Sequence, residues 1–142
     1  IDVCTRVLVN PGDVILTSNP SYLGALQSFR SYRADIRGIA HDTDLQVFEN
    51  EYETVIRQVK AEGKKVKFLY MIPDFQNPSG ESLTLEERKL LISLARKHDF
   101  LIVEDSPYRE LRYEGKRMSG VPSCAFTAPS SNCTIECITD CG

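Results

Sequence analysis

Short uninterrupted runs of apolar residues, each followed directly by polar residues, constrain this fold more than any other feature of the sequence. The runs at residues 68–72 and 100–103 are examples. An apolar run without polar alternation is typical of a strand that is buried on both faces of a parallel sheet. Strands are therefore predicted at residues 14–17, 36–40, 66–72 and 100–103.

Amphipathic segments alternate with these strands and predict helices. In one of them, Thr84 and Glu87 fit a capping box, while Glu86, Glu87 and Lys89 are expected to face solvent. Alternating strands and helices of this length predict βαβ units with right-handed crossovers, so the expected fold class is a three-layer α/β/α architecture with a mainly parallel sheet. Helices are predicted over residues 1–9, 22–32, 51–62, 84–98 and 107–113.

The composition changes after Met118. Residues 119–142 contain two acids, no Lys or Arg, and four of the five cysteines. The sequence therefore predicts a domain over residues 1–118 and an atypical Cys/Ser-rich tail over residues 119–142. Cys133, Cys137 and Cys141 recur every four residues, a spacing that would align them on one helix face. This spacing matches zinc-binding motifs poorly, and no metal site is predicted.

The overall composition excludes several function classes. The net charge is −3 and acids are interspersed with bases, so no basic patch for nucleic acid is expected. No apolar run approaches the roughly 20 residues that span a bilayer. An odd number of cysteines in a chain of 142 residues favours reduced thiols, and a cytoplasmic location is expected. Because the chain opens on Ile1 within an expected helix, it is interpreted as a fragment.

Four polar residues that follow predicted strands form a candidate site. Asn77 follows the third strand, Asp105 follows the fourth, Tyr108 lies one helical turn beyond Asp105, and Tyr22 follows the first strand. Open α/β sheets bind ligands at this end of their strands. A carboxylate there needs a partner such as a cationic ring nitrogen, and an aromatic ring could cover a planar ligand. Taken singly, these residues are also explained by a turn, a helix N-cap and ordinary packing.

These residues lie in three motifs: Asn19-Pro20-Ser21-Tyr22, Pro73-Asp74-Phe75-Gln76-Asn77-Pro78-Ser79-Gly80 and Glu104-Asp105-Ser106-Pro107-Tyr108. In combination, they resemble the large domain of the fold-type I, pyridoxal-phosphate-dependent aminotransferases of class I/II. The resemblance covers residues 1–113, and the spacing between the motifs also agrees with that family. The form Phe-Gln-Asn-Pro-Ser-Gly is most similar to the branch of aromatic, kynurenine and 2-aminoadipate aminotransferases.

The resemblance implies a cofactor, pyridoxal 5'-phosphate, and a role for each candidate residue. Tyr22 would stack on the pyridine ring, and Asp105 would pair with its protonated nitrogen. Asn77 and Tyr108 would donate hydrogen bonds to the phenolic oxygen. The implied activity is transfer of an amino group between an amino acid and a 2-oxo acid. The resemblance also implies that the full-length parent is a homodimer.

The chain departs from the family where covalent attachment of the cofactor is expected. Family enzymes carry the Schiff-base lysine in a Ser-x-x-Lys segment, followed by an arginine for the phosphate, but residues 128–142 contain neither. By the resemblance, the Gly-rich phosphate loop is expected to precede Ile1, and the small domain is expected to lie outside this chain as well. The expectation is an inactive aminotransferase fragment with no catalytic residue in this chain. The alternative is a non-catalytic aminotransferase-like domain, either a regulator module or a truncated or spliced product.

Overall fold

Five parallel strands form one sheet with the strand order β2-β1-β3-β4-β5. The structure, a computed structural model, describes residues 1–108 and, at residues 134–137, the backbone of the last strand. The strands are β1 (Val14–Asn19), β2 (Asp35–Ala40), β3 (Val66–Met71), β4 (Leu101–Asp105) and β5 (Thr134–Cys137).

Helices cover both faces of the sheet. Within the described residues, α1 (Asp2–Leu8) and α2 (Leu23–Ser31) pack on one face, and α3 (Leu45–Ala61) and α4 (Leu85–His98) pack on the other. This arrangement confirms the predicted three-layer α/β/α fold with a parallel sheet. None of these helices is both long and apolar enough to cross a bilayer.

Side chains of the central strand β3 alternate between the two helical layers. Phe68 and Tyr70 face α2, where Phe29 contacts both rings edge to face at centroid separations of 5.7 and 5.4 Å. Leu69 and Met71 belong to the opposite core, which α3 and α4 complete. Because both faces of the strand are buried, its sequence is an apolar run rather than an alternating pattern.

The predicted start of α3 is wrong. The helix begins at Leu45 rather than at Glu51, because the Asp44 side chain caps it by accepting hydrogen bonds from the backbone N–H groups of Gln46 and Val47. The apolar face that the extra turns add includes Phe48, which is 2% exposed. The cap and this aromatic residue together extend the helix.

The last strand lies inside the segment that was predicted to be an atypical tail. Thr134–Cys137 pairs in parallel with β4, and Cys137 is in register with Asp105. Because this segment is extended, the prediction that Cys137 lies on a helix face is wrong. Cys133 and Cys141 lie outside the described residues, as does most of the helix predicted at residues 107–113; Pro107 and Tyr108 form a turn.

Candidate functional site

The carboxyl ends of β1, β3 and β4 lie side by side, because these three strands are parallel neighbours in the sheet. The chain leaves each strand at this edge with polar residues. Tyr22 follows β1, Asn77 follows β3, Asp105 ends β4, and Tyr108 lies in the turn after β4. The sheet topology therefore places all four predicted site residues at the same end of the sheet, where the strands have their carboxyl ends.

Asn77 and Tyr108 are in direct contact. The Asn77 side-chain amide Nδ2 donates to Tyr108 Oη at 3.4 Å. Both residues are half-buried, and both line a groove of about 390 Å³ together with other residues of the Asn77 loop. The structure thus brings two of the predicted residues together as a pair of neighbouring polar groups that open onto a groove.

Asp105 is a buried carboxylate with one oxygen already held in place. The residue is 4% exposed, and its Oδ2 accepts a hydrogen bond of 2.9 Å from the Tyr70 hydroxyl. Its Oδ1 is buried and has no hydrogen-bond partner among the described residues. Burial raises the pKa of Asp105, although the Tyr70 hydroxyl and the N-terminal amino charge act to lower it. The carboxylate is therefore oriented through one oxygen, while the other oxygen has no partner in the part of the chain that the structure describes.

Tyr22 belongs to this edge by position rather than by contact. It is the N-cap residue of α2 and is 42% exposed. Its ring leaves no space for a side chain at Gly24, where an added Cβ would lie 2.7 Å from ring atoms. Within the described residues, no hydrogen bond joins its side chain to the other three site residues, so the structure leaves its aromatic ring on the surface above the first turn of α2.

The loop that carries Asn77 is fixed at both ends by Arg88, a residue that sequence reasoning missed. Arg88 is 2% exposed and donates to the carbonyl oxygen of Pro73 at 2.9 Å and to that of Leu83 at 3.1 Å. It also forms a buried ion pair with Asp74 at 3.0 Å. A single side chain of α4 therefore closes the loop from residue 73 to residue 83.

Gln76 links this loop to the segment that leads to Tyr22. Its side-chain Oε1 accepts from the backbone N–H of Ser79 at 2.8 Å. Its Nε2 donates to Ser18 Oγ at 3.1 Å and to the Pro20 carbonyl oxygen at 2.8 Å. Gln76 lies within one of the three motifs, but the sequence does not indicate its role, because the partners of its Nε2 lie more than 50 residues away in the chain.

The prediction that Glu87 faces solvent is wrong. The capping box forms as predicted, and it turns the Glu87 carboxylate back onto the Thr84 N–H and hydroxyl, so that the residue is 5% exposed. The other carboxylate oxygen contacts His41 Nε2 at 2.8 Å. Although burial raises the pKa of Glu87, the hydrogen bonds from Thr84 and His41 bring it below its usual value.

Comparisons with known proteins point to one family. The family model described as aminotransferase class I and II matches residues 1–139. Aromatic-amino-acid aminotransferase 1 of Thermococcus litoralis is 45% identical over 116 residues, which is 82% of this chain and 28% of that protein. The mitochondrial kynurenine/alpha-aminoadipate aminotransferase of Rattus norvegicus is 39% identical over 114 residues, or 76% of this chain and 27% of that protein.

Among solved structures, the kynurenine aminotransferase of Pyrococcus horikoshii, crystallised in complex with PMP, superimposes with a TM-score of 0.76 at 39% sequence identity. The match covers 84% of this chain and 30% of that one. This chain thus spans less than a third of the length of each of these relatives.

Proposed function

This chain belongs to the class I and II aminotransferases, and from that premise we propose that it forms part of the cofactor-binding domain of a pyridoxal-phosphate-dependent enzyme. The whole enzyme would transfer an amino group between an amino acid and a 2-oxo acid. The observation that carries the proposal is the buried Oδ1 of Asp105, which has no partner among the described residues. A buried carboxylate in this state favours a cationic partner.

The residues at the carboxyl ends of the strands fit pyridoxal 5'-phosphate. Asp105 offers a carboxylate to a protonated ring nitrogen, and Tyr70 holds that carboxylate in one orientation. Asn77 and Tyr108 offer hydrogen-bond donors to the phenolic oxygen, and Tyr22 offers an aromatic face for stacking. When bound, this cofactor supplies an electron sink for bonds at the substrate α-carbon.

Electrostatics explains why Asp105 suits this role. Its desolvation raises the pKa of the carboxyl group, because burial disfavours the ionised form. A cationic ring nitrogen at hydrogen-bond distance favours the ionised form and lowers that pKa again. By the same interaction, Asp105 would keep the proton on the ring nitrogen.

We also propose that this chain alone does not catalyse transamination. Arg117 is the last basic residue of the sequence, and no lysine follows Asp105 except Lys116. The family resemblance assigns the covalent attachment of the cofactor, and the movement of the α-proton, to a lysine in a Ser-x-x-Lys segment that the sequence lacks. The homodimer implied by the resemblance and the cytoplasmic location inferred from the cysteine content remain part of the proposal.

Cofactor binding and turnover test this function separately. Titration of the chain with PMP, which needs no lysine, is expected to show weak saturable binding by NMR, and Asp105→Ala is expected to abolish it because the ring nitrogen loses its charge partner. Glu51→Ala, an exposed acid on α3, serves as the control and should bind like the wild type. Equal PMP affinity in the wild type and Asp105→Ala would mean that the site is misassigned.

For turnover, the chain is incubated with pyridoxal 5'-phosphate, trapped with borohydride and analysed by mass spectrometry. We expect scattered modification of exposed amines and no transamination. A stoichiometric adduct on one lysine together with turnover of an amino acid would refute the proposed inactivity. The absence of turnover in a full-length protein that contains this chain would instead favour the alternative, a non-catalytic aminotransferase-like domain.

A further inference from the structure

We propose that Gln76 is a positioning residue that couples the loop of Asn77 to the segment of Tyr22, and so sets how the hydrogen-bonding and stacking groups of the site lie relative to each other. This inference rests on the proposed function, because it concerns the same cofactor site. It assigns a role to a side chain that would not itself touch the cofactor.

The two ends of the Gln76 side chain have different tasks. The acceptor Oε1 binds the Ser79 N–H, two residues beyond Asn77, and therefore acts within the loop. The donor Nε2 binds Ser18 Oγ and the Pro20 carbonyl oxygen, and therefore acts across to the segment after β1. Because both amide hydrogens have an acceptor, the donor end is committed to the bridge.

The backbone of Gln76 is also fully engaged. Its N–H donates to the Glu81 carbonyl oxygen at 2.8 Å, and its carbonyl oxygen accepts from the Gly80 N–H at 2.6 Å. The residue is only 8% exposed, so these bonds are largely shielded from water. Rotation or displacement of Gln76 would therefore disturb the loop and the bridge together.

The bridge reaches both cofactor-binding segments at short range. Gln76 directly precedes Asn77 in the chain, and its acceptor Pro20 lies two residues before Tyr22. The loop itself does not depend on the bridge for closure, because Arg88 holds its two ends at Pro73 and Leu83. The donor end of Gln76 is thus best explained by the relative placement of two segments rather than by the shape of one.

Gln76→Glu separates the two tasks. The glutamate keeps an acceptor for the Ser79 N–H but places an oxygen where the amide nitrogen now lies 2.8 Å from the Pro20 carbonyl oxygen, so the contact with Pro20 is replaced by repulsion between two acceptors. The Ser18 hydroxyl can still donate to the new oxygen, so the variant tests the Pro20 branch of the bridge. The matched control is Gln58→Glu, at an exposed glutamine on α3. Ser18→Ala is a second variant, which removes one bridging acceptor from the opposite side without altering the Asn77 loop.

Three readouts are expected to change in Gln76→Glu. Hydrogen exchange should become faster at residues 18–24 while the exchange of the Ser79 amide changes less, PMP affinity should fall about ten-fold, and the induced circular dichroism of bound PMP should change. Ser18→Ala should show the same pattern with a smaller loss of affinity, and Gln58→Glu should match the wild type. The dichroism separates positioning from mere stability, since a stabilising residue would leave the bound ligand in the same asymmetric environment.

The results also separate this inference from the function on which it rests. If the wild type binds PMP, and both Gln76→Glu and Ser18→Ala keep its affinity, its dichroism and its exchange at residues 18–24, then the coupling is refuted and the site stands. If Gln76→Glu fails to fold, Ser18→Ala alone decides between these outcomes. If the wild type does not bind PMP, the proposed function is refuted and the positioning role is refuted with it.

Discussion

At the scale of single residues, Asp105 shows how a binding group can work against the stability of the fold that carries it. Its side chain is almost fully buried, and only one of its two oxygens is hydrogen-bonded among the described residues. Because the folded chain raises the pKa of this carboxyl group, ionisation of Asp105 disfavours folding. A cationic ligand would reduce this cost, so the same carboxylate links stability to cofactor binding.

Asp105→Asn is therefore expected to raise the free energy of unfolding of the chain without added PMP, and to weaken PMP binding. The folded pKa lies above the unfolded value of about 3.9, so the penalty is absent below that pH and grows as the pH rises through the folded pKa. Urea unfolding should show a higher midpoint for the variant at pH 7 and a smaller difference near pH 4. The control is Glu51→Gln on the α3 surface. A variant that is less stable than wild type at pH 7 would contradict this account.

Which site residues the sequence could predict depended on where their partners lie. Asn77 and Asp105 were found because each follows a buried strand, and chain position alone places such residues at the ligand-binding edge. Gln76 and Arg88 act through contacts with other segments, and no local pattern marks them. An arginine on an amphipathic helix is normally a solvent-facing residue, whereas Arg88 is 2% exposed because it satisfies three acceptors in the loop before it.

At the scale of elements, α4 connects helix capping to the geometry of the Asn77 loop. The helix starts at Leu85, directly after the loop, and its first turn contains both Glu87 of the capping box and Arg88 of the loop anchor. The loop ends where the cap begins, since Leu83 accepts from Arg88 and Thr84 is the N-cap. Loosening the first turn of α4 should therefore loosen the loop as well.

Thr84→Ala tests this connection. It removes the hydroxyl that accepts from the Glu87 N–H and donates to the Glu87 carboxylate. The free energy of unfolding should fall by about 1 to 2 kcal/mol, as for other N-cap substitutions, and hydrogen exchange should become faster in the loop at residues 73–83. Thr43→Ala, at an exposed threonine before α3, is the control. Faster exchange confined to α4 would show that the cap and the loop are independent.

The start of α3 shows why boundaries are harder to predict than elements. The prediction relied on the apolar spacing of Val55, Ile56 and Val59 and began the helix near that cluster. The true start is set by the Asp44 cap, and the face continues through the buried side chains of Phe48 and Tyr52. The cap residue was visible in the sequence, but a lone aspartate is compatible with a turn as well as with a helix start.

At the scale of the whole molecule, β2, one of the two outer strands of the described sheet, carries a network of charges. In β2, Arg37 binds both carboxylate oxygens of Asp35 at 2.8 Å, and it contacts Glu62 at 2.7 Å. Lys64 contacts Asp35 at 2.7 Å and Glu62 at 3.4 Å. These pairs join β2 to the end of α3 and to the segment that leads from α3 to β3. They also place charge on an outer strand of the sheet, where charge discourages pairing with another strand.

The pH dependence of this network can be predicted. The hydrogen bond from Arg37 lowers the pKa of Asp35 to about 2, with burial opposing and Lys64 assisting. Its stabilising effect is thus complete above the unfolded pKa of about 3.9 and is lost as the pH falls toward about 2. In urea titrations, Asp35→Asn should differ most from wild type at neutral pH and converge with it in acid. A difference that stays constant from pH 6 to pH 2.5 would show that the carboxylate charge contributes nothing.

The order in which the site forms during folding follows from the sequence separation of its contacts. Arg88 closes the Asn77 loop through partners that are 5, 14 and 15 residues away, whereas the Gln76 bridge joins groups 56 and 58 residues apart. Contacts between distant residues require a larger loss of chain entropy and form late. The loop should therefore acquire its shape early, within a local unit with α4, while its alignment with Tyr22 waits until β1 and β3 have paired. Competence to bind a ligand would then arise only after these two strands have paired.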